Sequence, residues 1–224
     1  NWSRILSYLA PGAVLSHRSA FDTMPKDAIV YISRADGRRD FELPGLTVKG
    51  MVKALRGPML DAARPGAVDV AYQKFYVAST ARAFLENLTI DKRLAARQLS
   101  RTDLEERLEK LIAVRGQHAA NGLRDDAREV ADRLGLQSEF KVLDGVIGAM
   151  LGTQSAKVLS SRLALARAQG LPYDPQRVEL FEKVAAQLRG HHFAELTEPA
   201  RKGAARGMFA FVESYFSNYI EGTE

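Results

Sequence analysis

Residues 101–151 read RTDLEERLEKLIAVRGQHAANGLRDDAREVADRLGLQSEFKVLDGVIGAML, and the periodicity of this stretch sets the fold class of the chain behind it. Leu104, Leu108, Leu111 and Ile112 recur at helical spacing. Leu123, Ala127, Val130, Ala131 and Leu134 do so again before Gly135, and Phe140, Leu143, Ile147, Met150 and Leu151 form a third stripe in a helix opening at Ser138. Three amphipathic helices joined by short turns can bury their stripes only against one another, which makes a bundle. Thr102 and Glu105 fit the T-x-x-E capping box, in which each side chain satisfies a backbone amide left free at a helix start. Gly148 and Gly152 allow either a close helix approach or a helix end at Gly152.

Downstream, KVLSSRLALARAQG reads as a further helix, and Asp174-Pro175 supplies a cap and a first-turn proline for PQRVELFEKVAAQL. RGHHFAELTEP reads as a loop. The last helix, about Ala200 to Ile220, carries Met208, Phe209, Phe211, Val212, Tyr215, Phe216, Tyr219 and Ile220 on more than one face, so it needs partners on several sides. Self-association is the expected consequence.

Upstream the pattern is mixed. NWSRILSYL reads as a helix stopped at Pro11-Gly12, because proline disfavours helical geometry just before it. GAVLSH is a short strand, and Ser16 is placed to cap a short helix. AIVYISR and DFELPGLTVKGM flank Asp36-Gly37, a tight-hairpin signal, and VDVAYQKFYVAS is a further strand. Ser79 or Thr80 caps TARAFLENL, with Phe84, Leu85 and Leu88 on one face. The predicted fold is therefore α+β: a small mixed α/β domain over 1–99 followed by an all-α helical region over 100–224.

The 224 residues have near-average apolar content, 46%, and charged content, 26%, so the chain is expected to fold. It has no cysteine, which excludes disulfides and thiolate metal sites and fits a reducing, cytoplasmic compartment. No apolar run is long enough for a membrane span. The net charge of +5 is uneven: residues up to Leu99 carry 15 Lys and Arg against 9 Asp and Glu, and the rest carry 17 against 18. This basic excess suits either a nucleic-acid-facing domain or a dispersed solvated surface. The start, NWSRIL, lacks both Met and a signal-peptide layout, so residue 1 is not expected to be the natural start.

Familiar catalytic sets are missing. No Walker-type phosphate loop or G-x-G-x-x-G occurs, and GTQSAK lacks the second glycine. Adjacent His191 and His192 converge poorly on one metal ion and read as a solvated loop, while His17 suits a strand-to-helix corner. Ser217 and Glu221 share a helix face, with Gly222 where helices commonly end. A carboxylate in a last helical turn faces the negative pole of the helix dipole and calls for a cation. Nothing after Glu221 in this sequence supplies one.

The S-x-x-x-E-G pattern in FSNYIEGTE resembles the inhibitory-helix motif of Fic-domain proteins, and residues from about Leu99 to Glu224 are similar to the helical region preceding the Fic core in one bacterial group. The resemblance implies a regulatory arm of a protein adenylyltransferase that transfers AMP from ATP to a protein hydroxyl. Glu221 would pair with an arginine of the catalytic loop and keep the ATP γ-phosphate out of its productive position; Ser217 would help fix the plug, and Gly222 would permit close approach. The family's H-x-F-x-[D/E]-G-N-G-R loop is missing here, since HHFAELTEPARKG has none of its Gly-Asn-Gly-Arg turn. The resemblance thus assigns no catalytic residue or metal ligand to this chain, leaves ATP and Mg2+ to a Fic core further along the polypeptide, and makes this chain its front part. PGAVLSHRSAF and VASTARAFLENL are similar to stretches of AbiEi-type antitoxins, in the domain that follows a DNA-binding winged helix. That implies an alternative function, an antitoxin-like nucleic-acid-binding regulator, with DNA contacted through a winged helix ahead of Asn1.

Overall fold

A computed structural model describes residues 2–22, 25–34, 40–51, 58–60, 68–72, 75–89, 96–171, 175–192 and 203–221. The fold is α+β, as the periodicities require: a six-stranded mixed sheet and eight α-helices among the described residues. Two compact units divide the chain, residues 1–178 and 179–224, so the 99/100 boundary read from sequence lies inside the first.

In the first unit, helix α1 (Trp2–Leu9) precedes β1 (Val14–Leu15), a 3-10 turn (His17–Ala20) and β2 (Ile29–Ser33). Strands β3 (Phe41–Leu43), β4 (Leu46–Met51), β5 (Val70–Tyr72) and β6 (Phe75–Val77) follow, in the spatial order β3-β4-β2-β1-β6-β5. The alternation of strand side chains gives the sheet two different faces. Leu15, Val30, Ile32, Val48 and Phe75 form one apolar cluster with Leu6 and Ala10, where α1 buries its inner face. Val14 packs with Ala78 and Ala83 on the side of helix α2 (Thr80–Asn87), where polar residues are buried as well.

The hairpin read at Asp36-Gly37 needs correction. Residues 35–39 lie outside the described residues, but β2 pairs with β4, in parallel, and not with β3. The antiparallel hairpin is β3–β4, turning at Pro44-Gly45, where Gly45 has φ +74°. Glycine adopts that left-handed conformation without steric cost. The VDVAYQKFYVAS segment likewise holds two antiparallel strands, β5 and β6, in place of one.

Helices α3 (Arg101–Arg115), α4 (Gln117–Leu134), α5 (Gln137–Met150) and α6 (Arg162–Ala168) form the bundle. Leu104, Leu108, Ile112, Leu123, Ala127, Val130, Leu143 and Ile147 are buried in one apolar cluster that also takes in Phe84 and Leu85 of α2. Gly135 ends α4 in the left-handed conformation, φ +69°. The capping box at the start of α3 is displaced from its sequence reading. Ser100 is the N-cap and accepts from the Asp103 amide, and the Asp103 carboxylate accepts from the Ser100 amide, so Thr102 and Glu105 do not form it. Ser16 is the N-cap residue of the 3-10 turn, but its hydroxyl makes no capping bond. Gly148 accommodates a side chain and not a helix: a Cβ there would stand 2.8 Å from Gln154.

The second unit contains most of α7 (Pro175–Gly190) and all of α8 (Gly203–Glu221).

Candidate functional site

Helix α8 runs to Glu221, so Ser217 and Glu221 stand one helical turn apart at its carboxyl end. The side chains of residues 216–221, and Gly222 altogether, lie outside the described residues. Upstream on α8, Met208, Phe211, Val212 and Tyr215 make an exposed apolar stripe, with the Phe211 and Tyr215 rings stacked at 6.3 Å. Leu180, Phe181, Val184 and Leu188 make a second exposed stripe on α7. A Glu179–Lys183 ion pair, 2.9 Å, stands at exposed positions of the same helix.

The other concentration of chemistry is internal. Arg82 and Glu86, one turn apart on α2, are both fully buried. Arg82 donates from Nε to Glu86 Oε1 at 2.6 Å and from Nη1 to Asp69 Oδ2 at 2.6 Å. Asp69 also accepts from the Met59 and Ser79 amides, and Glu86 Oε2 accepts from the His17 amide at 2.9 Å. Burial alone would lower the Arg82 pKa, but Glu86 and Asp69 outweigh it and raise it. His17 sits at the corner between β1 and the 3-10 turn, at φ +51°, with its ring fully buried. Its Nδ1 is 3.8 Å from Glu86 Oε2, beyond hydrogen-bond reach, and among the described residues neither ring nitrogen has a hydrogen-bond partner. Burial lowers its pKa; Glu86 opposes this, and Arg97 and Arg82 add to it. Asp69, Arg82 and Glu86 thus spend their charges on one another and on backbone amides. The arrangement locks α2 to the sheet corner.

Glu105 has a similar structural task. Its buried carboxylate accepts from Arg101 Nε and from the Ser160 and Ser161 amides at 2.7 and 2.6 Å, so it caps the start of α6 from another helix. A groove of about 940 Å³ opens beside α3 and α6, with Glu109, Lys110, Arg167 and Arg177 among its lining residues, and Arg167 is paired to Glu109 at 2.6 Å.

GTQSAK does not fit a nucleotide phosphate. The Thr153 and Gln154 amides both donate to the Gly148 carbonyl, and Ser155 accepts from the Lys157 amide. Those donors are already engaged. His191 and His192 follow the end of α7 at exposed positions, and His118 is exposed on α4. Among the described residues no three His, Asp or Glu side chains gather closely enough to hold a metal ion. None of the described helices is long and apolar enough to cross a membrane.

No protein-family model, curated protein or solved structure matches the chain. The sequence reading missed the Asp69–Arg82–Glu86 network. The available signal was a charged i,i+4 pair in a short helix whose other residues are mostly small or apolar; Asp69, thirteen residues before Arg82, carried none.

Proposed function

We propose that this chain is the regulatory arm of a Fic-type protein adenylyltransferase, with Glu221 as the inhibitory carboxylate. The observation that carries the reading is the helical span of Ser217 and Glu221 at the end of α8, where the helix dipole leaves the carboxylate in want of a cation. An arginine of a catalytic loop elsewhere in the polypeptide meets that want. ATP and Mg2+ belong to that core in this reading. Two measurements test the reading. The gene beyond Glu224 should encode H-x-F-x-[D/E]-G-N-G-R within about 150 residues, the size of one further domain. In the complete polypeptide, Glu221→Gly should raise AMP incorporation into protein by about tenfold or more, as expected when a charged pair worth at least about 1.4 kcal/mol is lost. A stop codon after Glu224, or unchanged incorporation, rules the reading out.

A second reading, an antitoxin-like nucleic-acid binder, is favoured by the basic excess before Leu99. Three of those cations are already engaged: Arg82 is buried in ion pairs, and Arg18 and Lys49 pair with Asp27 and Asp40. If phosphates are nevertheless bound, affinity for duplex DNA should fall steeply as salt rises. Absence of binding by this chain at low salt removes the reading for these residues.

A further inference from the structure

We infer that residues 16–22 form an acid-released clasp between the sheet and the helix bundle, held shut while the His17 ring is neutral. Three sets of contacts meet in this short segment. On the sheet side, the Ser16 amide donates to the Tyr31 carbonyl and the Tyr31 amide donates to Ser19 Oγ, each at 3.0 Å. Toward α2, the His17 amide donates to Glu86 Oε2 and the Phe21 ring meets Phe84 edge-on, 5.1 Å between centroids. Toward α3, Arg107 pairs with Asp22 at 2.6 Å and lies over the Phe21 ring. Releasing this one segment therefore loosens the sheet, α2 and α3 from one another.

The ring at the centre of the clasp is ill placed to carry a proton. The charged groups that face it are Glu86 and Arg82 from α2 and Arg97 from the segment ahead of α3. From β2 the titratable side chain is Tyr31, whose hydroxyl is already donated to the Ala96 carbonyl. On the segment itself, Arg18 pairs outward with Asp27. Glu86 is committed to Arg82 Nε and to the His17 amide, and its Oε2 stands 3.8 Å from Nδ1. An imidazolium there would face two guanidiniums, out of water and without a hydrogen bond to the one carboxylate beside it. Water reaches the ring only when the corner moves. The backbone assists that movement, because His17 is held at φ +51° and its amide bond to Glu86 is lost on opening. A ring that is protonated near 6.5 only in the open state draws the clasp open as pH falls below that value. The inference stands apart from the Fic reading, which rests on α8.

The test is amide hydrogen exchange of the 224-residue chain, followed residue by residue by NMR at pH 7.5 and pH 5.5 with low concentrations of urea added in steps. After correction for intrinsic exchange, the His17, Phe21 and Tyr31 amides should open about tenfold more at pH 5.5, the change that linkage gives for one pH unit below 6.5. Their opening should hardly respond to urea, because local release exposes little surface. His17→Asn should remove the tenfold change. The parent decides the matter alone if that variant does not fold. Corner amides that exchange only with the urea dependence of global unfolding overturn the inference, and so does a local opening that is equal at the two pH values. A folded His17→Asn chain that keeps the tenfold change overturns it as well.

Discussion

Arg82 holds two carboxylates in a site without solvent, and the consequences of losing it are asymmetric. Arg82→Met leaves Asp69 and Glu86 buried and uncompensated, which costs about 3–5 kcal/mol, measurable as a lower urea midpoint. Arg82→Lys should recover little of this, because a single ammonium cannot make the two directed bonds that Nε and Nη1 make. His17 adds a pH dependence whose sign follows from its lowered pKa. The unfolded chain protonates this ring near its ordinary value of 6.5, while the folded chain keeps it neutral to lower pH. Between those two values the unfolded state binds more protons, so folding stability is full above 6.5 and is lost as pH falls through this window. His17→Asn retains a residue that tolerates the positive φ and removes the titration. The slope of stability between pH 7 and pH 5, followed by urea unfolding in steps of about half a unit, should be shallower in that variant. An unchanged slope assigns the effect to other groups. The corner position of His17 was legible, since a strand ended there and a short helix began. Its burial beside Glu86, 69 residues away, was not, because no local pattern records which distant carboxylate arrives.

Helix periodicity survived into the structure because every stripe in the bundle meets another stripe. Strand pairing did not, since β2 and β4 associate in parallel through register and burial, and the Asp36-Gly37 signal speaks only for adjacent segments. The capping box illustrates the limit at finer grain. Ser100-x-x-Asp103 and Thr102-x-x-Glu105 are both plausible boxes, and the choice falls to the first because Glu105 is drawn inward to the Ser160 and Ser161 amides. Ser100→Ala should therefore cost about 1 kcal/mol, and Thr102→Ala only a few tenths. Equal effects would return the helix start to Thr102. Glu105→Ala should cost more than either, about 2–4 kcal/mol, because two amides at the entry to α6 lose their acceptor together. Both comparisons can be read from denaturant midpoints at constant slope. At the far end of the chain, the helical placement of Ser217 and Glu221 was legible from the apolar periodicity of the residues before them.

Among the described residues the three apolar clusters contain none beyond Ala168, and the first compact unit ends at Val178. Helices α7 and α8 carry exposed apolar side chains. A chain ending at Val178 should then keep the stability of its first unit. The sole tryptophan makes this measurable, because Trp2 packs against Phe75, 6.5 Å between ring centroids, inside that unit. Its fluorescence reports unfolding of the sheet side whatever the state of the helices downstream. The tryptophan midpoint in urea should agree between the full chain and the shortened one to within about 1 kcal/mol of unfolding free energy. If the shortened chain loses its cooperative tryptophan transition, residues beyond Val178 contribute to the core and the two-unit division fails.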